Sequence, residues 1–234
     1  MIRNLKVLEL VLVAILAASA MTASAVSAQQ GVLTSDGPVL LDMLETGGVG
    51  ANAITMFGGK FECPESIYTG NRYDRTPHEI IPSGATTITI TPHYNIKKCV
   101  LQIGGSNLPF TVDMNQCDFV LYIGTAIAQH TYLVTTDIAC PAGKGIELTT
   151  FSSSAHAIKT CTITITGQFN LTGPHITSTT ATDHPDISGS FKNLTIHQSG
   201  LCGTKTTNTA EIDIDVTVEG KSSGWEPTGV TVTG

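Results

Sequence analysis

The chain has 234 residues, with 12 Lys and Arg against 19 Asp and Glu, for a formal charge of −7. This balance argues against a partner with a phosphate backbone, because such binding needs clustered Lys and Arg to release counterions. Charged residues are only 13% of the chain, and threonine, which suits a pleated and half-wet surface, takes much of their place.

The first residues read as an export leader. Arg3 and Lys6 precede an apolar stretch from Leu10 to Ala18, and small residues follow. Val26-Ser27-Ala28 fits a small-x-small peptidase site with polar Gln29-Gln30 behind it. Residues 1–28 are therefore expected to be a signal peptide, and residues 29–234 a secreted, extracellular domain with no later membrane span. The leader carries Arg3, Lys6 and Glu9, a net +1, so the remainder carries −8.

In chain order, the sequence then alternates with a period of two. Leu40–Leu44 is the one short stretch that suggests a helix, and Ala53–Met56 suggests a strand. Thr87-Ile88-Thr89-Ile90-Thr91 alternates cleanly, and Val100–Ile103 and Phe110–Val112 follow it. Asp118–Ile123 and Tyr132–Ile138 can fold back on each other across Gly124–Thr131. Ile146–Phe151, Thr162–Thr166, Phe191–His197, Glu211–Glu219 and Gly229–Thr233 complete the predicted strands. Tyr68–Ser83 and Gly173–Ser190 read as polar loops. One dry and one wet face per strand predicts an all-β, antiparallel fold. It would be sandwich-like or two small β units, with a division near 124–145.

Six cysteines, Cys63, Cys99, Cys117, Cys140, Cys161 and Cys202, make an even set in a predicted extracellular chain, which reads as a disulfide framework. Most share strand parity with aliphatic neighbours, so their sulfurs are expected to point inward. Cys202 matches Leu194 and Ile196 only if Gly200 leaves the alternation intact. Their spacing lacks the close pairs of a zinc site. If Phe119 faces Ile138, Leu121 faces Thr136 and Cys117 faces Cys140, which predicts a bridge between those two. The competing pairing joins Cys99 to Cys117 and Cys140 to Cys161.

No catalytic constellation stands out, and no cofactor or metal is expected. His78, His93, His130, His156, His175, His184 and His197 are scattered. Asp183-His184-Pro185-Asp186 is too sparse in acids for a calcium loop. Ser152-Ser153-Ser154 near His156 lacks a nucleophile elbow. Asn170-Leu171-Thr172 and Asn193-Leu194-Thr195 match glycosylation acceptors.

A series of short motifs runs through nearly the whole mature chain: Glu62-Cys63-Pro64-Glu65-Ser66, Tyr68-Thr69-Gly70, Thr76-Pro77-His78, Thr91-Pro92-His93-Tyr94, Val112–Asp118, Cys140-Pro141-Ala142-Gly143-Lys144 and Gly200-Leu201-Cys202. Their order resembles a family of secreted, Cys-bridged, Thr-rich β proteins encoded in actinobacterial genomes, to which no activity is assigned. Gln116 stands where that family commonly has Gly. The resemblance implies an exported, disulfide-bonded β protein and no catalytic residue.

A non-enzymatic extracellular protein that binds a ligand or associates with the envelope is the leading expectation. Its Thr-rich sheets suit carbohydrate or protein contact. A hydrolase acting on an extracellular polymer and a self-assembling surface subunit are the alternatives.

Overall fold

Alternating aliphatic and hydroxyl residues can only separate their two faces in an extended chain, and a computed structural model of the protein shows strands throughout. It describes residues 29–37, 39–45, 52–63, 67–68, 81–93, 99–152, 158–178, 184–221 and 227–234. The predicted leader lies outside these. Among the described residues there is no α-helix, and none that is long and apolar enough to cross a membrane.

Strands in two units share one long hairpin. The first unit comprises β3 (Ala53–Met56), β4 (Gly59–Glu62), β8 (Val100–Ile103), β9 (Ser106–Asp113), β12 (Gly145–Phe151) and β13 (Lys159–Thr166), together with the outer halves of β15 (Asp186–Gly200) and β16 (Lys205–Lys221). Each pairs antiparallel with the next in the order β3-β4-β8-β9-β12-β13-β15-β16, and β16 returns to β3 through Ile212↔Ile54. Eight strands thus close into a barrel, which removes the unpaired edges of an open sheet.

The second unit contains β6 (Thr87–Ile90), β10 (Asp118–Ala128), β11 (Thr131–Ala139), β14 (Gln168–Thr177), the inner halves of β15 and β16, β2 (Leu40–Glu45), β5 (Ile67–Tyr68) and β7 (Pro92–His93), in that spatial order. Only Thr91 separates β6 from β7 in the chain, so this sheet curls until its two ends meet. β1 (Val32–Ser35) pairs with β18 (Val230–Thr233) as a separate ribbon, and β17 (Pro227–Thr228) adds to β16. Inward aliphatics such as Leu121, Ile138, Ile165, Ile187, Leu194 and Val216 are fully buried in one continuous core.

Several expectations need correction. Leu40–Leu44 lies in a strand, because pairing with Thr217–Lys221 of β16 overrides its local preference. Most of 173–190 is also strand. Gly173 and Gly189 sit on facing strands at φ 142° and 132°, and a Cβ on Gly173 would lie 2.1 Å from the Ser190 carbonyl oxygen. The two glycines permit a backbone approach that any other residue would block. Residues 69–80 of the other proposed loop, and residues 179–183 here, lie outside the described set. Residues 124–131 belong to the β10–β11 hairpin, while 143–145 are one of several places where the chain passes between the units.

Three disulfides are present: Cys63–Cys99, Cys117–Cys140 and Cys161–Cys202, with no free cysteine. In the β10–β11 ladder Phe119 faces Ile138 and Leu121 faces Thr136, the register that brings Cys117 to Cys140. Cys63, Cys99, Cys117 and Cys161 are buried. Cys202 instead sits in an exposed turn, because Gly200 at φ 99° ends the alternation of β15 before it. Such a set of bridges is typical of proteins in oxidising, extracellular surroundings.

Candidate functional site: an apolar barrel mouth

Four hairpin turns of the barrel lie at one end. They join β3 to β4 at Phe57-Gly58, β8 to β9 at Gly104-Gly105, β12 to β13 where the Ser152 amide donates to the Ile158 carbonyl at 3.0 Å, and β15 to β16 across 201–204. The ladders fix this common end: Thr150 faces both Phe110 and Cys161, Cys161 faces Gly200, and the Leu201 amide donates to the Thr160 carbonyl at 2.8 Å. Gly104 and Gly105 both have positive φ, 56° and 79°, as a tight two-residue hairpin turn requires. Phe57 takes the corresponding position in its own turn at φ 51°, unusual for a bulky side chain.

Between these turns the barrel opens into a cavity of about 460 Å³, within the ~300–1,000 Å³ range of small-molecule sites. Its walls follow from strand parity. Met56, Gly59, Phe61, Leu101, Ile103 and Leu108 occupy the inward positions of β3, β4, β8 and β9. Thr150, Cys161, Ile163 and Gln198 occupy those of β12, β13 and β15. Phe57, Thr160, Leu201 and Cys202 complete the rim. Gly59 leaves an inward position empty, and a Cβ there would lie 2.9 Å from Leu101 Cδ1. Below, Phe61 meets Phe110 edge to face, with ring centroids 5.1 Å apart, and closes the floor.

Among the described residues no charged side chain lines the cavity. Its polar groups are engaged with their neighbours: the Thr150 and Thr160 hydroxyls lie 2.8 Å apart, and Gln198 Nε2 donates to the Cys202 carbonyl at 2.6 Å. The lining therefore offers chiefly dispersion and desolvation to a guest. At the rim, Lys205 Nζ stands 5.3 Å from the centre of the Phe57 ring. The Cys161–Cys202 bridge ties the β15–β16 tip to the wall beneath it.

The residues weighed for chemistry do not converge here. His130 lies beside Gln129, His175 Nε2 is 3.3 Å from Ser188 Oγ, and His197 Nδ1 is 2.8 Å from Thr206 Oγ1. Asp186 accepts from Thr217 at 2.6 Å, whereas Asp183 lies outside the described residues. Ser152 is exposed at a strand end, and Ser153, Ser154 and His156 lie outside the described set, as do His78 and Trp225. Asn170 and Asn193 are exposed, each with positive φ, on β14 and β15. Among the described residues no group of three His, Cys, Asp or Glu is placed to hold a metal ion.

Sequence inspection did not single out Phe57, Ile103, Leu108 or Leu201. Their one local sign is a bulky apolar residue beside glycine at a turn, in Phe57-Gly58-Gly59, Ile103-Gly104-Gly105 and Gly200-Leu201. The fold and mouth define a closed, disulfide-bonded β-barrel with an apolar opening. The chain matches no family model, no curated protein and no solved structure.

Proposed function

We propose that this is a secreted extracellular binding protein that holds an apolar small molecule in the mouth of its barrel. The carrying observation is the uncharged cavity of about 460 Å³ in a barrel whose lower interior is filled by side chains. Small closed barrels either pack their interiors or keep room for one guest, and this one does each at a different end. Burying a methylene of the guest here contributes about 0.8 kcal/mol, and Gln198 and the threonine pair give a polar collar at the entrance. Export through cleavage after Ala28 accords with the three bridges, each of which needs an oxidising compartment.

Fluorescence titration with the neutral dye N-phenyl-1-naphthylamine tests this reading. The mature protein should enhance and blue-shift the emission with a saturable, single-site isotherm. Leu108→Arg places a charge at a half-buried wall position and should abolish the response while cooperative thermal unfolding persists. No enhancement by folded protein, or an equal response in Leu108→Arg, would refute the site.

A further inference from the structure

We infer that the mouth end of the barrel docks on an anionic lipid surface, its four hairpin turns directed at the bilayer. This goes beyond the binding of a guest in the cavity and does not depend on it. Six large apolar side chains are exposed among the described residues, and three of them stand on these turns: Ile103 at 38%, Ile158 at 57% and Leu201 at 80%. Half-buried Phe57 supplies the fourth turn. Each turn thus presents one bulky apolar residue at the same end, a geometry that lets all four enter an interface together.

Charge points the same way. The chain has 19 acidic residues, yet none falls in 55–60, 102–109, 149–152, 158–162 or 197–210, the described segments that build this end. The same segments carry Lys60, Lys159 and Lys205. Lys60 Nζ is paired with Glu62 Oε1 at 2.6 Å. Lys159 and Lys205 are exposed and face no carboxylate among the described residues. A strongly acidic protein that keeps carboxylates away from one apolar, lysine-bearing end is suited to a negatively charged surface and repelled elsewhere. Phe57 adds to this, since its left-handed backbone position would favour Asn or Gly, whereas the chain keeps an aromatic ring there under Lys205.

Co-sedimentation of the mature protein with vesicles tests the inference. Phosphatidylglycerol-rich vesicles should pellet the protein, and pure phosphatidylcholine vesicles should do so much less. Lys159→Gln and Lys205→Gln should each weaken binding about fivefold, as expected for one lysine at an anionic surface. Leu201→Asp should weaken it by about tenfold or more. Phe57→Asn should also weaken it while keeping the fold, because Asn accepts the backbone of that turn. Ile127→Asp and Phe169→Asp, which alter exposed apolar residues away from these turns, should leave binding unchanged. Excess soluble glycerol phosphate should not displace the protein. Failure to pellet with anionic vesicles, indifference to Leu201→Asp, or displacement by the soluble head group would each overturn the inference. The naphthylamine titration reads the cavity separately, so either result can fail while the other stands.

Discussion

Phe61 on β4 and Phe110 on β9 meet at 85° with centroids 5.1 Å apart, and this pair divides the packed half of the barrel from the open half. Above it the inward positions carry Gly59, Leu101, Leu108 and Thr150, which leave space. Below it the barrel interior is occupied by residues such as Leu148, Ile165 and Ile196, all buried.

Truncation of the floor should therefore both destabilise and deepen the site. Phe110 is almost fully buried, so Phe110→Ala should cost about 3–5 kcal/mol in urea unfolding. The variant that remains folded should accept bulkier dyes than the parent. An unchanged size preference would place the floor elsewhere.

The Cys161–Cys202 bridge closes a span of 41 residues in sequence and fixes the tip that bears Leu201. Replacing both with Ser should lower stability by about 2–4 kcal/mol. It should also weaken dye binding more than replacement of Cys63 and Cys99, whose bridge lies at the opposite end of the barrel. Chemical denaturation and dye titration of the two double variants make the comparison.

Thr136 is fully buried beside Ile90, Phe119, Leu121, Phe191 and Ile214, and its hydroxyl has no hydrogen-bond partner. An unsatisfied hydroxyl in an apolar interior is a cost that a methyl group of similar size removes. Thr136→Val should raise stability by about 1 kcal/mol, read as a higher urea midpoint at constant slope. A lower midpoint would show that the hydroxyl is hydrogen-bonded in solution.

Tyr122 Oη donates to Asp137 Oδ2 at 3.1 Å. The hydrogen bond first, then partial desolvation, and then the negative charge of Asp137 favour the neutral phenol and raise its pKa above the ordinary 10.0. The folded state then holds a proton that the unfolded state releases. This contribution to stability is present below pH ~10 and fades as pH rises through the raised value. Ultraviolet titration should show a late phenolate step that disappears in Tyr122→Phe. If the last step persists in that variant, it belongs to another tyrosine.

Much of the fold was legible because parity leaves little freedom. Glu211–Glu219 alternates acid or threonine with aliphatics and forms part of β16, and the match of Phe119 with Ile138 fixed both the hairpin register and the Cys117–Cys140 bridge. Barrel closure was not legible, because it depends on one hairpin long enough for Asp186–Ser188 to pair with β14 and Cys161–Ile165 of β13 to pair further along β15. Local patterns do not encode such a shared element. Leu40–Leu44 shows the same limit, since five apolar or acidic residues in a row lack a period and take their state from β16. The mouth escaped notice for a related reason. A cavity is made by what is absent at inward positions, as at Gly59, and the sequence shows a glycine there without showing which face it occupies.

Methyl NMR of the mature protein titrated with decanol tests the central claim most directly. The methyls of Met56, Leu101, Leu108 and Ile163 should shift together with one saturable isotherm, and those of Leu121, Ile187 and Val216 in the other unit should stay in place. Saturable shifts confined to the mouth would establish the barrel opening as the binding site. Shifts spread over both units, or none at the mouth at decanol concentrations near its solubility limit, would contradict it.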